Sequence, residues 1–494
     1  MNVFIPAIVA LVFIVLAAFH SYQLPRHIPR IPIWVTIYET YAKTSRISFY
    51  NKHVRGLAEE YGAVTIWHLG RWSIHITEPR YLIQMFRDEK SFAKGGSYKR
   101  VPWGPLGQLF GENIIDSTGH VWKQQRSILQ SAIKRPFDIA YTKQKSSELL
   151  ARVLREHDLQ DKDRRMGIDI DEHVQYWSLS ICCKYFMDVD LEGIPNISNR
   201  LTRILTDQKL DLMGGVVTLF PVLQRLPWLF PSTRRAFCLV EEFEKIVLEI
   251  AKLNRHNESG PDSNTIISCL NNARQNGAIS EFHYRSHLKQ LLLAGHEEVE
   301  PVLLSAVVEI ARNRQIQSAL QAETSYLVPH TYNLEDLDKL PLTLAVILET
   351  LRLHPPFPSL TNRYTTQKVR LGNDINVPAG TWIGWNAYGV QTDPRIWGSD
   401  ALVFRPERWG KDVANIKAMF RAQQAKAVFI PFSTHSRTCL GITFALMQLK
   451  VGLYELLSEI EWGIYNDNMP ALSKGSRILL NIVCSIKLTL CRVR

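Results

Sequence analysis

The sequence predicts a mainly α-helical protein with a small β region, built as a single large domain behind an N-terminal transmembrane helix. Three observations carry this expectation. The chain opens on a long apolar run, β-rich alternation is confined to two short regions, and helical periodicity governs the remainder. Residues 1–24 are the anchor, 25–35 a proline-rich hinge and 36–494 the domain.

Val3 to Phe19 is apolar throughout, and no charged residue precedes Arg26. As a helix this run spans about 25 Å, close to the thinner bilayer of the endoplasmic reticulum. Arg26, His27 and Arg30 follow the run rather than precede it, unlike a cleaved signal peptide, and place the body in the cytosol. The expected location is therefore the endoplasmic-reticulum membrane, single-pass. Pro25, Pro29 and Pro32 then predict a stiff extended spacer.

Length alone suggests about three domains. No second linker, repeat or low-complexity stretch divides the body, so it reads as one. Val64 to Thr77 predicts a hairpin with a Gly-first turn at Gly70-Arg71. Leu239, Phe243, Ile246, Ile250 and Leu253 share one helical face. Leu288 to Ile310 is apolar nearly all round, which predicts one long central helix. A second β region falls near Val369 to Val390. The proline-broken run from Leu219 to Pro231 reads either as a membrane-dipping loop or as buried core.

Hydrophobic residues make up 46% and charged residues 21%, which excludes a disordered chain. A mean hydropathy of −0.09 excludes a polytopic transporter. Seven cysteines are too scattered for a secreted disulfide framework. The net charge of +11 suits anionic lipid and an acidic protein partner. Nucleic acid is not an expected partner, because no reader motif or concentrated basic run is present.

Cys439 lies in Phe432-Ser433-Thr434-His435-Ser436-Arg437-Thr438-Cys439-Leu440-Gly441, just ahead of an apolar helical run from Ile442 to Leu457. A helix N-terminus stabilises a thiolate, and Arg437 adds positive charge nearby. Taken alone, such a cysteine is more often a buried structural thiol. A cysteine-nucleophile hydrolase lacks a supporting signature around it, and a non-catalytic membrane scaffold is the other rival.

This loop resembles the haem-binding loop of the cytochromes P-450, FxxGxRxCxG, with His435 in place of the first glycine. Three further motifs are similar and stand in the family's order. Glu349-Thr350-Leu351-Arg352 resembles the ExxR helix, Phe404 to Trp409 the PERF-like segment, and Trp122 to Arg126 the WxxxR helix. The resemblance implies haem b (iron protoporphyrin IX) with Cys439 as its axial metal ligand. It implies Trp122, Arg126, His120, Arg363 and Arg437 as propionate partners, and Glu349, Arg352 and Arg408 as a structural network. A thiolate ligand pushes electron density onto iron. The implied partners are NADPH-cytochrome P-450 reductase, cytochrome b5, membrane lipid and a small-molecule substrate.

The central helix departs from the family pattern. Ala294-Gly295 fits, since a helix over the haem face needs room, and Glu297 fits the usual acid. Glu298 replaces the threonine that organises proton delivery. Glu297 and Glu298 are thus the candidate catalytic residues. Either Glu298, or a water it holds, delivers protons, its pKa raised by burial, or the enzyme is a haem-thiolate dehydratase or isomerase that does not use O2. The plain structural alternative has Glu298 pointing away, since adjacent helical positions are about 100° apart. Oxygenating fungal members that also lack the threonine favour the first. His435 must lean out of the tight turn that the family's glycine makes.

Phe92 to Trp122 and Gly295-His296-Glu297 further resemble a fungal subgroup that includes N-formyltyrosine oxidases and secondary-metabolite enzymes. The implied function is a monooxygenase for a small apolar or aromatic, amino-acid-derived metabolite. Val101 to Phe110, Leu292 to Val299, Pro356 to Leu360 and Leu472 to Ile478 are the candidate pocket segments, with Trp103, Phe110 and Phe357 as aromatic walls.

Overall fold

The computed structural model describes residues 24–25, 27–134, 137–160, 167–205, 216–253, 265–328, 331–372, 375–465 and 487–492. Of the predicted anchor, residues 1–24, all but Leu24 lie outside them, as does the segment Leu472 to Ile478. No helix among the described residues is long and apolar enough to cross a membrane.

Among the described residues helices dominate, with one five-stranded sheet and two smaller ones. The strands of the main sheet are β1 (Ala63–His68), β2 (Arg71–Ile76), β3 (Phe92–Lys94), β4 (Ser359–Thr365) and β5 (Trp382–Asn386). Their spatial order is β1-β2-β5-β4-β3. The β1–β2 turn is Leu69-Gly70, both at positive φ (44° and 74°), one residue earlier than the Gly-first turn predicted. Positive φ at both central positions gives the primed turn whose twist matches its strands. The second β region also starts earlier than predicted, with β4, and ends at Asn386, where a short helix takes over.

Nine helices position the site. They are α1 (Ile33–Tyr41), α2 (Pro79–Arg87), α3 (Gly119–Ile133), α4 (Asp171–Met187), α5 (Pro231–Leu253), α6 (Glu281–His296), α7 (Val299–Ala311), α8 (Pro341–Leu353) and α9 (Ile442–Glu459). Leu239, Phe243, Ile246 and Ile250 line the buried face of α5 as their spacing predicts. The proline-rich segment packs against the domain. Ile28 and Ile31 are buried, the Ile31 N–H donates to Thr65 O (3.0 Å), and α1 already begins at Ile33. Apolar side chains between the prolines give the segment a face to bury.

The predicted long central helix is two helices. Pro301 has no N–H to offer the Glu297 carbonyl, and the helix breaks at Glu297-Glu298. Ser178 Oγ of α4 donates to the His296 carbonyl (3.0 Å), pairing a backbone acceptor at the broken end. Gly295 does more than the prediction asks. It lines the cavity described below, and a Cβ there would run into Cys182 and Phe186, so the glycine also admits α4.

Candidate active site

A cavity of about 250 Å³ lies between α3, α6–α7, the β3–β4 edge and the Cys439 loop. Its walls are mostly apolar, including Leu291, Val299, Val302, Phe357 and Leu360. Polar groups break that surface at few points: Lys94, Arg126, Glu298, Arg437 and Cys439 are the ionisable ones.

The Cys439 loop is shaped by its backbone. The Cys439 N–H donates to Phe432 O (2.9 Å), and the Gly441 N–H donates to Cys439 Sγ (3.3 Å) as α9 begins. Ser433 and His435 are both left-handed, each at φ 56°. His435 leans away from the cavity, where its Nε2 accepts from Arg87 Nε (3.0 Å) of α2. Burial and the Arg87 charge lower its pKa. Burial pushes the Cys439 thiol up to about 12, and the Glu298 carboxyl adds to the rise. The Gly441 N–H and Arg126 act the other way and are outweighed. Helix position alone therefore does not make the thiolate expected from sequence; a metal cation does that outright.

Arg437 is not aimed at the sulfur. Its Nε and Nη2 donate to Glu89 (2.9 and 2.8 Å), its Nη1 to Ser117 O (3.1 Å), and its plane stacks on Trp122, 3.9 Å from the ring centre. Arg126, one turn along α3, flanks the same indole at 5.5 Å. Trp122, Arg126 and Arg437 thus form one wall of the cavity. His120 is exposed and does not reach that wall. Arg363 is fully buried beside it, donating Nη1 to Phe92 O (2.8 Å) with Nε and Nη2 unpartnered. Burial lowers its pKa to about 10.

Lys94, which the motifs do not single out, completes this wall. It lines the cavity and pairs in register with Arg363 across β3 and β4. Burial, then Arg363 and Arg437, hold its pKa well below the usual lysine range. Buried cations require anionic partners. Lys94, Arg126 and the orphaned donors of Arg363 fit the two propionates of a haem, and the apolar walls fit its ring. Nothing local in Phe92-Ala93-Lys94-Gly95-Gly96 marks the lysine; its place follows from the pairing of β3 with β4.

Glu298 and Glu297 part company at the helix break. Glu298 faces the cavity, and burial raises its pKa to about 8. Glu297 is buried and turned away from the lining. Of the predicted pocket segments, Leu292 to Val299 and Pro356 to Leu360 contribute walls, while Val101 to Phe110 does not reach this cavity. Phe110 is core, and Trp103 donates Nε1 to Pro221 O (3.1 Å), pinning the loop that follows.

On the far side of the loop, the structure brings Glu349, Arg352 and Arg408 together. Arg352 forks onto Glu349 (2.9 and 2.8 Å), and Arg408 Nε, Trp409 Nε1 and the Arg405 N–H donate to the same carboxylate at 2.8, 3.0 and 2.9 Å. Gln391 carries this order to the loop: its Nε2 donates to Arg352 O (2.9 Å) and its Oε1 accepts from the Ile430 N–H (2.8 Å).

A thiol loop on one side of a mostly apolar cavity and a cationic wall beside it define a haem-thiolate protein by class. The family model for cytochrome P-450 matches residues 25–489, and the chain belongs to that family. It is an oxidoreductase whose family binds haem b. Cytochrome P-450 monooxygenase xanG of Aspergillus fumigatus is 37% identical over 444 residues, covering 88% of this chain and 82% of that protein. Cytochrome P-450-DIT2 of Saccharomyces cerevisiae is 28% identical over 442 residues, covering 89% and 88%. A solved cytochrome P-450DA heme domain shares the fold with a TM-score of 0.73 at 17% identity, over 94% of this chain and 98% of that one.

Proposed function

We propose that this protein is a monooxygenase of fungal secondary metabolism that oxidises a small apolar or aromatic, amino-acid-derived metabolite. Electrons come from NADPH-cytochrome P-450 reductase, with cytochrome b5 as an auxiliary donor. The observation that carries this reading is the placement of Cys439 and a protonatable Glu298 on one apolar cavity. Haem, when bound, supplies the family's redox chemistry. Cys439 would hold its iron, and Lys94, Arg126 and Arg363 its propionates, beside the Trp122–Arg437 stack. Glu298, raised to about 8, holds a proton at neutral pH and can donate it into a space from which the apolar walls exclude bulk water. The apolar lining and Phe357 favour an uncharged, ring-bearing body at this end of the substrate.

The same proposal places the domain on the cytosolic face of the endoplasmic-reticulum membrane. Trp34, Tyr38 and Tyr41 of α1 are 67%, 60% and 80% exposed, and Trp228 is 77% exposed. Leu219 and Phe220, at the start of the proline-broken loop, bury against Leu24, Trp67 and Trp72 and so join this loop to the chain's N-terminal end. Its two sequence readings divide along its length, core at Leu219-Phe220 and an outward apolar edge at Leu226, Trp228 and Leu229. Aromatic side chains of this kind suit a lipid interface. The reduced, carbon-monoxide-treated protein should show the red-shifted Soret band of a haem thiolate and lose it in Cys439→Ala. A wild-type protein without that band would overturn the reading.

A further inference from the structure

A second cavity, of about 210 Å³, lies between α1, the β1–β2 hairpin and the start of β4. Phe357 and Leu360 line both cavities, so this pair of side chains is all that stands between them at that point. Their chemistry differs. Where the first is apolar, the second gathers Arg46, His68 and His75, with Arg100 buried directly behind the hairpin.

Very little acid answers these groups. Glu39 is the single carboxylate in the wall, and it is already engaged by Lys52 (2.6 Å), His53 (2.7 Å) and Thr44 (2.5 Å). Those bonds hold it ionised, down to about 2. Arg46 spends one donor on Ser359 O (3.2 Å), and no other hydrogen bond or ion pair of its guanidinium is found among the described residues. His75 has Thr361 Oγ1 3.2 Å from its Nε2 and leaves Nδ1 unpartnered. Arg100 donates to His68 O and Ser73 Oγ and leaves Nη1 unpartnered. Burial, then the Arg100 and Arg46 charges, lower His75 to about 3, so it stands as a neutral imidazole and the two guanidinium groups supply the positive charge here. Arg46 is half-buried with most of its fork uncommitted, and a guanidinium in that position gains from an anion that supplies the missing acceptors.

We propose that this second cavity binds a carboxylate carried by the substrate, with Arg46 as the charged contact, so that the enzyme selects organic acids whose apolar end reaches past Phe357 and Leu360 toward Cys439. This rests on the monooxygenase reading for the fate of the apolar end, and the recognition itself does not. An arginine fork matches a carboxylate in two parallel hydrogen bonds, while a neutral amide of the same shape gains neither charge nor a second acceptor. The free-ion alternative is an inorganic anion held with no link to the first cavity.

Calorimetric titration of the full-length haem-loaded protein with ω-phenylalkanoic acids of increasing chain length, each against its primary amide, tests this. The acid should bind about tenfold to a hundredfold tighter than its amide at an optimal length. Arg46→Gln should abolish the preference, and Arg46→Lys should keep part of it, both with wild-type absorbance. Equal binding of acid and amide at every length, or a preference unchanged in Arg46→Gln, would overturn the assignment. So would Arg46-dependent binding of inorganic phosphate with no acid preference. The carbon-monoxide spectrum is read on the same samples. A normal band without acid preference strikes this inference and spares the monooxygenase reading, and acid preference without the band does the reverse.

Discussion

Lys94 and Arg363 face each other across paired antiparallel strands, two buried cations with no ion-pair partner among the described residues. Like charges directly opposite destabilise a sheet. Both lose further free energy to burial, which is the first cause of the lowered pKa of each. The β4 strand also shifts register between Leu360 and Arg363, which re-aims the end of the strand beside the cavity. A sheet edge built this way is suited to holding anions.

Lys94→Met keeps the length of the side chain and removes its charge. Haem-free protein carrying this change should be more stable than wild type, because the repulsion with Arg363 is gone. Haem-loaded protein should release its haem about tenfold faster to an excess of apomyoglobin, for want of one charge-assisted contact. Unchanged release would remove Lys94 from the propionate wall.

Glu349 accepts five hydrogen bonds while fully buried. Glu349→Ala leaves the Arg352 guanidinium buried without its acid, a loss of about 3–5 kcal/mol. The Gln391 bridge runs from Arg352 to Ile430, so the damage should reach the Cys439 loop. Thermal melting should show a large drop, with part of the remaining folded protein losing the thiolate-type Soret band. Gln391→Leu should preserve most of the stability and still perturb that band.

The residues legible in the sequence were those whose partners lie within one short segment. Cys439, Arg437 and Gly441 share a loop, and Glu349 and Arg352 share one helical turn, so spacing alone brings them together. Lys94 and Arg363 are far apart in the chain and meet only through strand pairing, and the Arg46, His75 and Arg100 cluster needs three separate elements. The helix break at Glu297-Glu298 was present in the sequence as Pro301, but the apolar character of the run outweighed it. Arg437 shows the converse limit. Its motif position was legible, while its engagement by Glu89 depends on the loop after α2 packing against the Cys439 loop.

His435 tests whether the replaced glycine costs stability. A non-glycine residue at φ 56° is disfavoured by about 1–2 kcal/mol. His435→Gly relieves this and loses the partly exposed bond from Arg87, a smaller contribution of about 0.5–1 kcal/mol. The net expectation is a modest rise in melting temperature, and Arg87→Leu alone should lower it slightly. A fall for His435→Gly would mean that the Arg87 clasp outweighs the backbone strain.

Glu298 decides how the cavity handles protons. Its folded pKa of about 8 stands above the ordinary value of 4.5, so the folded chain holds a proton that the unfolded chain releases. The stability it contributes is complete below 4.5 and is lost as pH rises through about 8. Above that pH, Glu298→Gln should therefore be more stable than wild type, since the glutamine never ionises. Catalysis should move the opposite way. If the neutral acid is the donor, product formed per NADPH and O2 consumed falls in wild type as pH passes about 8. Glu298→Gln flattens that limb and uncouples consumption from product at every pH, by about tenfold or more. Coupling left intact in Glu298→Ala would exclude the carboxyl from proton delivery. Turnover without O2 or reductase would instead favour dehydration or isomerisation, with the same buried acid serving the substrate directly.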